Sequence, residues 1–210
     1  MLFQQLDSMI DRIRETGISS IVKAEFRYFS GSTMSYNQVE NQQFHIPPSV
    51  LQFYKEIDFV ELSWHIPDGM LENYLDKELD IPGGFAHIPT FDKLLVFMSA
   101  TNKVQLIDPT QSFSNGQQER LNSFVPFDFL ESGGAICFRV QNNQLEDNLF
   151  LVKTGIDCLI APLYIGCLDY TSEGYKHYFF NDWQQAFYLK DNDLMESMKF
   201  YLDEIGLKTF

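Results

Sequence analysis

Alternation of apolar and polar residues is the feature that most constrains this fold. Segments 22–28, 60–66 and 136–140 each place an apolar side chain at every second position. A strand with this pattern has one buried face and one solvent-exposed face, because successive side chains point to opposite sides of a sheet. Half-buried strands are typical of antiparallel sheets, so the middle of the chain predicts a mainly antiparallel sheet.

Helical spacing dominates the two ends of the chain. Leu2, Leu6, Met9 and Ile13 recur every three or four residues, and a similar stripe runs from 194 to 205. A further helix is predicted to begin near Pro47, since proline is tolerated in a first helical turn. With 210 residues, 45% of them hydrophobic, the chain can bury a sizeable core. We predict one α+β domain over 1–210, with a central sheet flanked by N-terminal and C-terminal helices.

The remaining segments carry weaker signals. Residues 102–108 are predicted to be a strand, and the polar runs 30–43, 109–123 and 141–148 to be connections, the last of them a long hairpin loop. Residues 162–178 have helical character. Asn181 followed three residues later by Gln184 resembles a capping box at the start of another helix.

The net charge of the chain indicates which kinds of molecule it can bind. The chain has 29 Asp and Glu against 15 Lys and Arg, a formal charge of −14. Such a surface repels nucleic acid and anionic lipid, so we expect neither as a partner, and a protein partner is expected to be basic. An apolar span of membrane length, an apolar leader and an even cysteine count are all missing, which favours the cytoplasm and free thiols.

Half of the excess negative charge falls in residues 56–80, which contain eight acids and one base, Lys77. A solvated face is one interpretation of this acidic stretch. The other is a docking surface for a basic protein, with aromatic residues among the charges as apolar anchors. The residues proposed for that surface are Glu61, Trp64, Asp68, Glu72, Tyr74, Asp76, Glu78 and Asp80.

Motifs for catalysis, cofactors or metals give no candidates. The histidines 45, 65, 87 and 177 are far apart, and the sequence contains no serine nucleophile elbow and no C-x-x-C pair. The pairs Gly83-Gly84 and Gly133-Gly134 lack the residues of a phosphate-binding loop, so turn glycines before strands explain them better. We therefore predict no catalytic, cofactor-binding or metal-binding residue.

Four separated pieces of the chain resemble the SUKH superfamily, which includes bacterial toxin-immunity proteins and fungal regulators of cell-wall synthesis. Residues 46–54 resemble the proline-led opening helix of the family, and Leu62-Ser63-Trp64 the strand after it. Residues 124–138 resemble its central apolar-proline, glycine and strand element. Residues 174–184 resemble its closing helical region with a tryptophan.

The resemblance covers about residues 44–189, with 1–43 and 190–210 as additions. It implies an α+β domain that binds another protein without catalysis, in bacteria an immunity protein that neutralises a basic toxin such as a nuclease. A regulatory or scaffolding protein like the fungal members is the alternative, and an enzyme of unrecognised type is a third. Nothing in the sequence indicates the oligomeric state.

Overall fold

Two β-sheets organise the chain in the computed structural model, which describes residues 2–16, 23–25, 44–66, 83–155 and 158–207. Their strands are antiparallel wherever a register is defined, and helices precede, separate and follow them. The predicted α+β class is confirmed. Instead of one central sheet, however, the described residues form a three-stranded sheet and a four-stranded sheet.

The three-stranded sheet has the order β1-β2-β3, with β1 at Lys23–Glu25, β2 at Val60–His65 and β3 at Gly83–Ile88. Strand β2 shows the alternation that the sequence predicts, because Val60, Leu62 and Trp64 are buried and the residues between them are half-buried. The predicted strand 22–28 is described only over 23–25.

The four-stranded sheet is a meander of β4 (Phe124–Phe129), β5 (Ala135–Gln141), β6 (Gln144–Lys153) and β7 (Leu159–Pro162). Asn142 and Asn143, both with positive φ, form a two-residue hairpin turn between β5 and β6. The long loop predicted over 141–148 is therefore wrong. Its polar residues from Gln144 onward belong to a strand that turns several side chains to solvent.

The described residues include eight helices. Five precede β4 in the chain: α1 (Leu2–Glu15), α2 (Pro48–Glu56), α3 (Phe91–Ser99), α4 (Val104–Ile107) and α5 (Asn115–Leu121). Three follow β7: α6 (Cys167–Lys176), α7 (Trp183–Tyr188) and α8 (Asn192–Glu204).

Three local predictions are wrong. Residues 102–108 contain the short helix α4, not a strand. The connection 109–123 contains α5, whose capping box joins Ser114 to Gln117. The capping box predicted at Asn181 does not form, since the residue before α7 is Asp182, which has a left-handed backbone and no capping hydrogen bond.

The chain divides into two compact units. Unit 1 comprises Met1–Phe26, Glu61–Ala86 and Thr171–Phe210, and unit 2 comprises Arg27–Val60 and His87–Tyr170. The assignment of 1–210 to a single domain stays a prediction.

Aromatic side chains fill the core of each unit. In unit 2, Phe127 makes edge contacts with Phe53, Phe138 and Tyr170, at centroid distances of 5.2, 5.0 and 5.9 Å. In unit 1, Phe180 packs against Trp64 and Tyr201. Edge-to-face aromatic pairs stabilise a core beyond the area that they bury, which suits a chain with 20 phenylalanines.

Candidate functional site

A cleft in unit 1 is the first candidate site. It encloses about 390 Å³ between α1 and the second half of α6. From α1 it is lined by Gln4, Gln5, Ser8, Met9 and Arg12. From α6 and the turn that follows it is lined by Ser172, Tyr175, Lys176 and Tyr178.

The helical repeat explains how both walls form. The α1 residues recur at intervals of about four, so they share one face of that helix beside the buried stripe that begins at Leu2. Ser172, Tyr175 and Lys176 are likewise neighbours on one face of α6. Met9, Tyr175 and Tyr178 are buried and form an apolar floor, whereas the amides, hydroxyls and cations stand around it.

Charge in the cleft is opposite in sign to the charge of the chain. Two of its nine lining residues, Arg12 and Lys176, are cations, and none is an acid. A second depression of about 460 Å³ shares Arg12 and Tyr178 with the cleft and adds Glu15, Ile205 and Leu207 among its lining residues.

Behind the rim of the cleft, the carboxylate of Glu173 lies between Lys176 and the buried His177. Nζ of Lys176 donates to Oε1 of Glu173 over 2.6 Å, and Oε2 of Glu173 lies 3.8 Å from Nε2 of His177. The imidazole is buried, stacks on Phe187 at 3.9 Å and has no hydrogen bond on either nitrogen. Burial lowers the pKa of His177 to about 4, opposed by Glu173 and reinforced by Lys176 and Lys199.

Unit 2 contains a buried carboxyl group. Asp128 accepts hydrogen bonds from the Tyr170 hydroxyl at 2.6 Å and from the His87 amide at 2.8 Å. A register shift between Pro126 and Asp128 marks a β-bulge, a distortion that re-aims side chains. Burial raises the pKa of Asp128 to about 7, although both hydrogen bonds lower it. Asp128 and His177 have the perturbed pKa values of catalytic groups, but neither lines the cleft or the second depression.

The described residues give little support for a reactive cysteine or for a metal-binding site. Burial raises the pKa of Cys137 and of Cys158, and it raises that of Cys167 to about 12, with Asp147 adding to the effect. A thiol with a raised pKa is a poor nucleophile at neutral pH. Within the described ranges, no three His, Cys, Asp or Glu side chains are grouped to hold a metal ion.

Only two residues of the predicted acidic surface fall in the described part of the chain. Glu61 is half-buried on β2. Trp64 is 2% exposed, and its indole N–H donates to the carbonyl of Tyr178 at 2.9 Å. The prediction that Trp64 is an exposed anchor is therefore wrong, because alternation turns it to the buried face of β2. The other predicted residues lie outside the described ranges: Asp68, Glu72, Tyr74, Asp76, Glu78 and Asp80.

At the start of the acidic stretch, one carboxyl group of unit 2 has a perturbed pKa. The pKa of Asp58 is raised, first by partial burial and then by the negative charge of Asp92 in the first turn of α3. Both side chains are at least partly exposed. Asp92 lies outside residues 56–80, so this pairing was not predictable from the charge distribution along the chain.

The cleft was also missed from sequence. Its two cations are far apart in the chain, and Arg12 reads in isolation as an ordinary exposed residue of an amphipathic helix. One signal was present: Gln4, Gln5, Ser8 and Arg12 form a stripe without acids on a helix from an acidic protein.

Comparisons with known proteins give no relative. The chain matches no protein-family model, no curated protein and no solved structure. Over the described residues, none of the helices has the length and apolar character needed to cross a bilayer.

Proposed function

We propose that the chain is a protein-binding module of the SUKH type, without catalytic activity, and that it acts as an immunity protein by neutralising a basic toxin. The contact surface of this proposal is the acidic stretch 56–80. The partner's cations would meet carboxylates that the chain concentrates there.

The charge distribution along the chain is the observation that carries the proposal, since residues 56–80 contain eight acids and one base. Carboxylates concentrated on one surface speed encounter with a basic partner and reject wrong partners. One of these acids, Asp58, has a pKa that is raised first by partial burial and then by the negative charge of Asp92.

Packing of the chemically versatile groups supports binding over catalysis. Asp128 and His177 are both buried, neither lines the cleft or the second depression, and the three cysteines have raised pKa values. Catalytic groups must converge on a space that admits substrate.

Charge reversal tests the proposal. Two variants are made, one with Glu72, Asp76, Glu78 and Asp80 changed to lysine and one with Asp58→Lys and Asp92→Lys. Partners are captured from lysate with each variant and with the unchanged protein, then identified by mass spectrometry. We expect a basic protein captured by the unchanged chain and lost by both variants.

A matched control reverses four exposed acids elsewhere, Asp7, Glu119, Glu196 and Asp203. This control makes the same change in net charge as the first variant and is expected to keep the partner. Equal loss in the control would show that total charge decides capture, and retention by the two test variants would exclude the surface. A captured toxin favours immunity, whereas a cell-wall synthesis enzyme would favour the regulatory alternative.

A further inference from the structure

The unit 1 cleft combines three properties that a small-molecule site needs. Its volume of about 390 Å³ lies within the usual range for ligand pockets, and its floor of Met9, Tyr175 and Tyr178 is apolar. Around that floor stand a small number of polar groups that come from two helices. This arrangement fixes a ligand's orientation while burying its apolar body.

We propose that this cleft binds a small organic carboxylate with an apolar body, whose carboxylate contacts Arg12 and Lys176. This proposal does not depend on the protein-binding function proposed above.

The cations determine the charge of the ligand. In a chain with almost two acids for every base, the lining of this cleft includes two cations and no acid, and Glu173, which pairs with Lys176, lies behind the rim. Such a lining favours an anionic ligand over a cationic one. Arg12 offers a planar fork of N–H donors that matches a carboxylate, and Lys176 offers a flexible ammonium group.

The apolar floor determines the rest of the ligand. Met9, Tyr175 and Tyr178 are mostly buried by the protein, and the small part of each that lines the cleft favours an anion with a hydrocarbon or aromatic portion over an inorganic anion. Gln4, Ser8 and Ser172 can each donate a hydrogen bond at the rim, which suits a carboxylate oxygen. The second depression shares Arg12 and Tyr178 with the cleft, and Glu15 and Thr16 line it as well as Ile205 and Leu207.

Binding is tested with octanoate and phenylacetate as probes, each beside its neutral amide, octanamide or phenylacetamide. Backbone amide chemical shifts are followed during titration of the full chain at neutral pH. We expect saturable shifts for the two carboxylates, centred on Ser8, Arg12 and Lys176, and at least about tenfold weaker binding of the amides, the size expected for loss of a charge-assisted hydrogen bond.

Two charge variants and one steric variant separate the contributions. Arg12→Gln and Lys176→Met should each weaken carboxylate binding at least about tenfold and leave amide binding unchanged. Ser8 is exposed at the mouth of the cleft, so Ser8→Phe should block both ligand types without unfolding the protein. Arg14→Gln, on the same helix but outside the cleft, is the matched control and should bind like the unchanged chain.

Three results would overturn the proposal: amides binding as tightly as carboxylates, shifts located away from α1 and α6, or no saturable binding of either carboxylate at millimolar concentrations. A folded spectrum for each variant separates a lost site from a lost fold. None of these outcomes bears on capture of a basic protein by the acidic stretch.

Discussion

The hydroxyl of Tyr170 donates a 2.6 Å hydrogen bond to Oδ2 of Asp128, and both side chains are fully buried. The second carboxyl oxygen, Oδ1, accepts from the His87 amide. Two hydrogen bonds do not replace the solvation that the carboxylate loses on burial, so the pKa of Asp128 rises to about 7. Folded protein therefore retains a proton there in a pH range where the unfolded chain has released it.

Asp128→Asn is expected to remove a pH dependence of stability. Because the pKa of Asp128 is higher in the folded state, the folded protein binds more protons between about pH 4 and pH 7, and its stability falls as pH rises through that window. An amide does not titrate, so the variant should lack this part of the slope and gain relative stability toward pH 8. Urea unfolding at a series of pH values measures it.

Asp108→Asn is the contrasting control. Burial opposes ionisation of Asp108, but hydrogen bonds from Thr110 and Thr154 outweigh it and lower the pKa, so the contribution of Asp108 to stability is present at neutral pH and lost on acidification. The control should therefore be less stable than the parent at neutral pH, with the difference shrinking in acid. A parallel response of the two variants would contradict the assignment of a raised pKa to Asp128.

His177→Phe is expected to reduce the loss of stability in acid, whereas Asp128→Asn reduces the loss of stability as pH rises. A base with a pKa lowered to about 4 binds fewer protons when folded, so its contribution to stability is lost as pH falls from about 6.5 toward 4. Phenylalanine keeps the ring stacked on Phe187 and has no charge to bury. Unfolding free energy measured across that window should fall less steeply in the variant. Exposed His45→Gln should behave like the parent, and an unchanged slope in His177→Phe would refute the prediction.

The spacing of apolar residues in the sequence predicted secondary structure correctly where a helix or strand has one buried face. The stripe from Leu2 to Ile13 became α1, and alternation over 60–65 became β2 with the expected side chains buried. It failed for 102–108, because a single helical turn that buries Val104 and Ile107 is too short to show a period. It failed again at 141–148, where polarity reflects a strand facing solvent instead of a loop.

The candidate sites depend on contacts between distant parts of the chain, which periodicity does not describe. Arg12 and Lys176 come from helices far apart in the chain and line the same cleft in unit 1, and the negative charge of Asp92 helps to raise the pKa of Asp58 in unit 2. For Trp64 the local sequence pattern was the better guide. Its position among acids suggested an exposed anchor, although the alternation along β2 predicts that it lies on the buried face, where the structure has it.

Thiol labelling is expected to separate the cysteines. Cys137 and Cys167 are buried, whereas Cys158 is half-buried and its raised pKa is partly offset by Arg120. A maleimide at neutral pH should therefore modify Cys158 first, with the other two reacting only on the timescale of unfolding. Peptide mass spectrometry over a labelling time course locates the adducts. Early modification of Cys167 would contradict its burial at the start of α6.

Gly84→Ala is expected to be strongly destabilising because β3 passes directly over the indole of Trp64. A Cβ atom at Gly84 would lie 2.1 Å from Nε1 of Trp64 and 2.6 Å from the Tyr178 carbonyl oxygen that this nitrogen donates to. The ring would have to move and leave a buried donor and acceptor unpaired. We expect a loss of about 2–4 kcal/mol in unfolding free energy, combining overpacking with the lost hydrogen bond.

Gly116→Ala is the matched control, since nothing lies within 4 Å of a Cβ at that position in α5. Alanine is the better helix former, so this variant should gain up to about 1 kcal/mol. Trp64→Phe removes the donor together with part of the buried ring, so it should also be destabilising. If chemical denaturation gives Gly84→Ala and Gly116→Ala the same stability, the close approach of β3 to Trp64 is not present in solution.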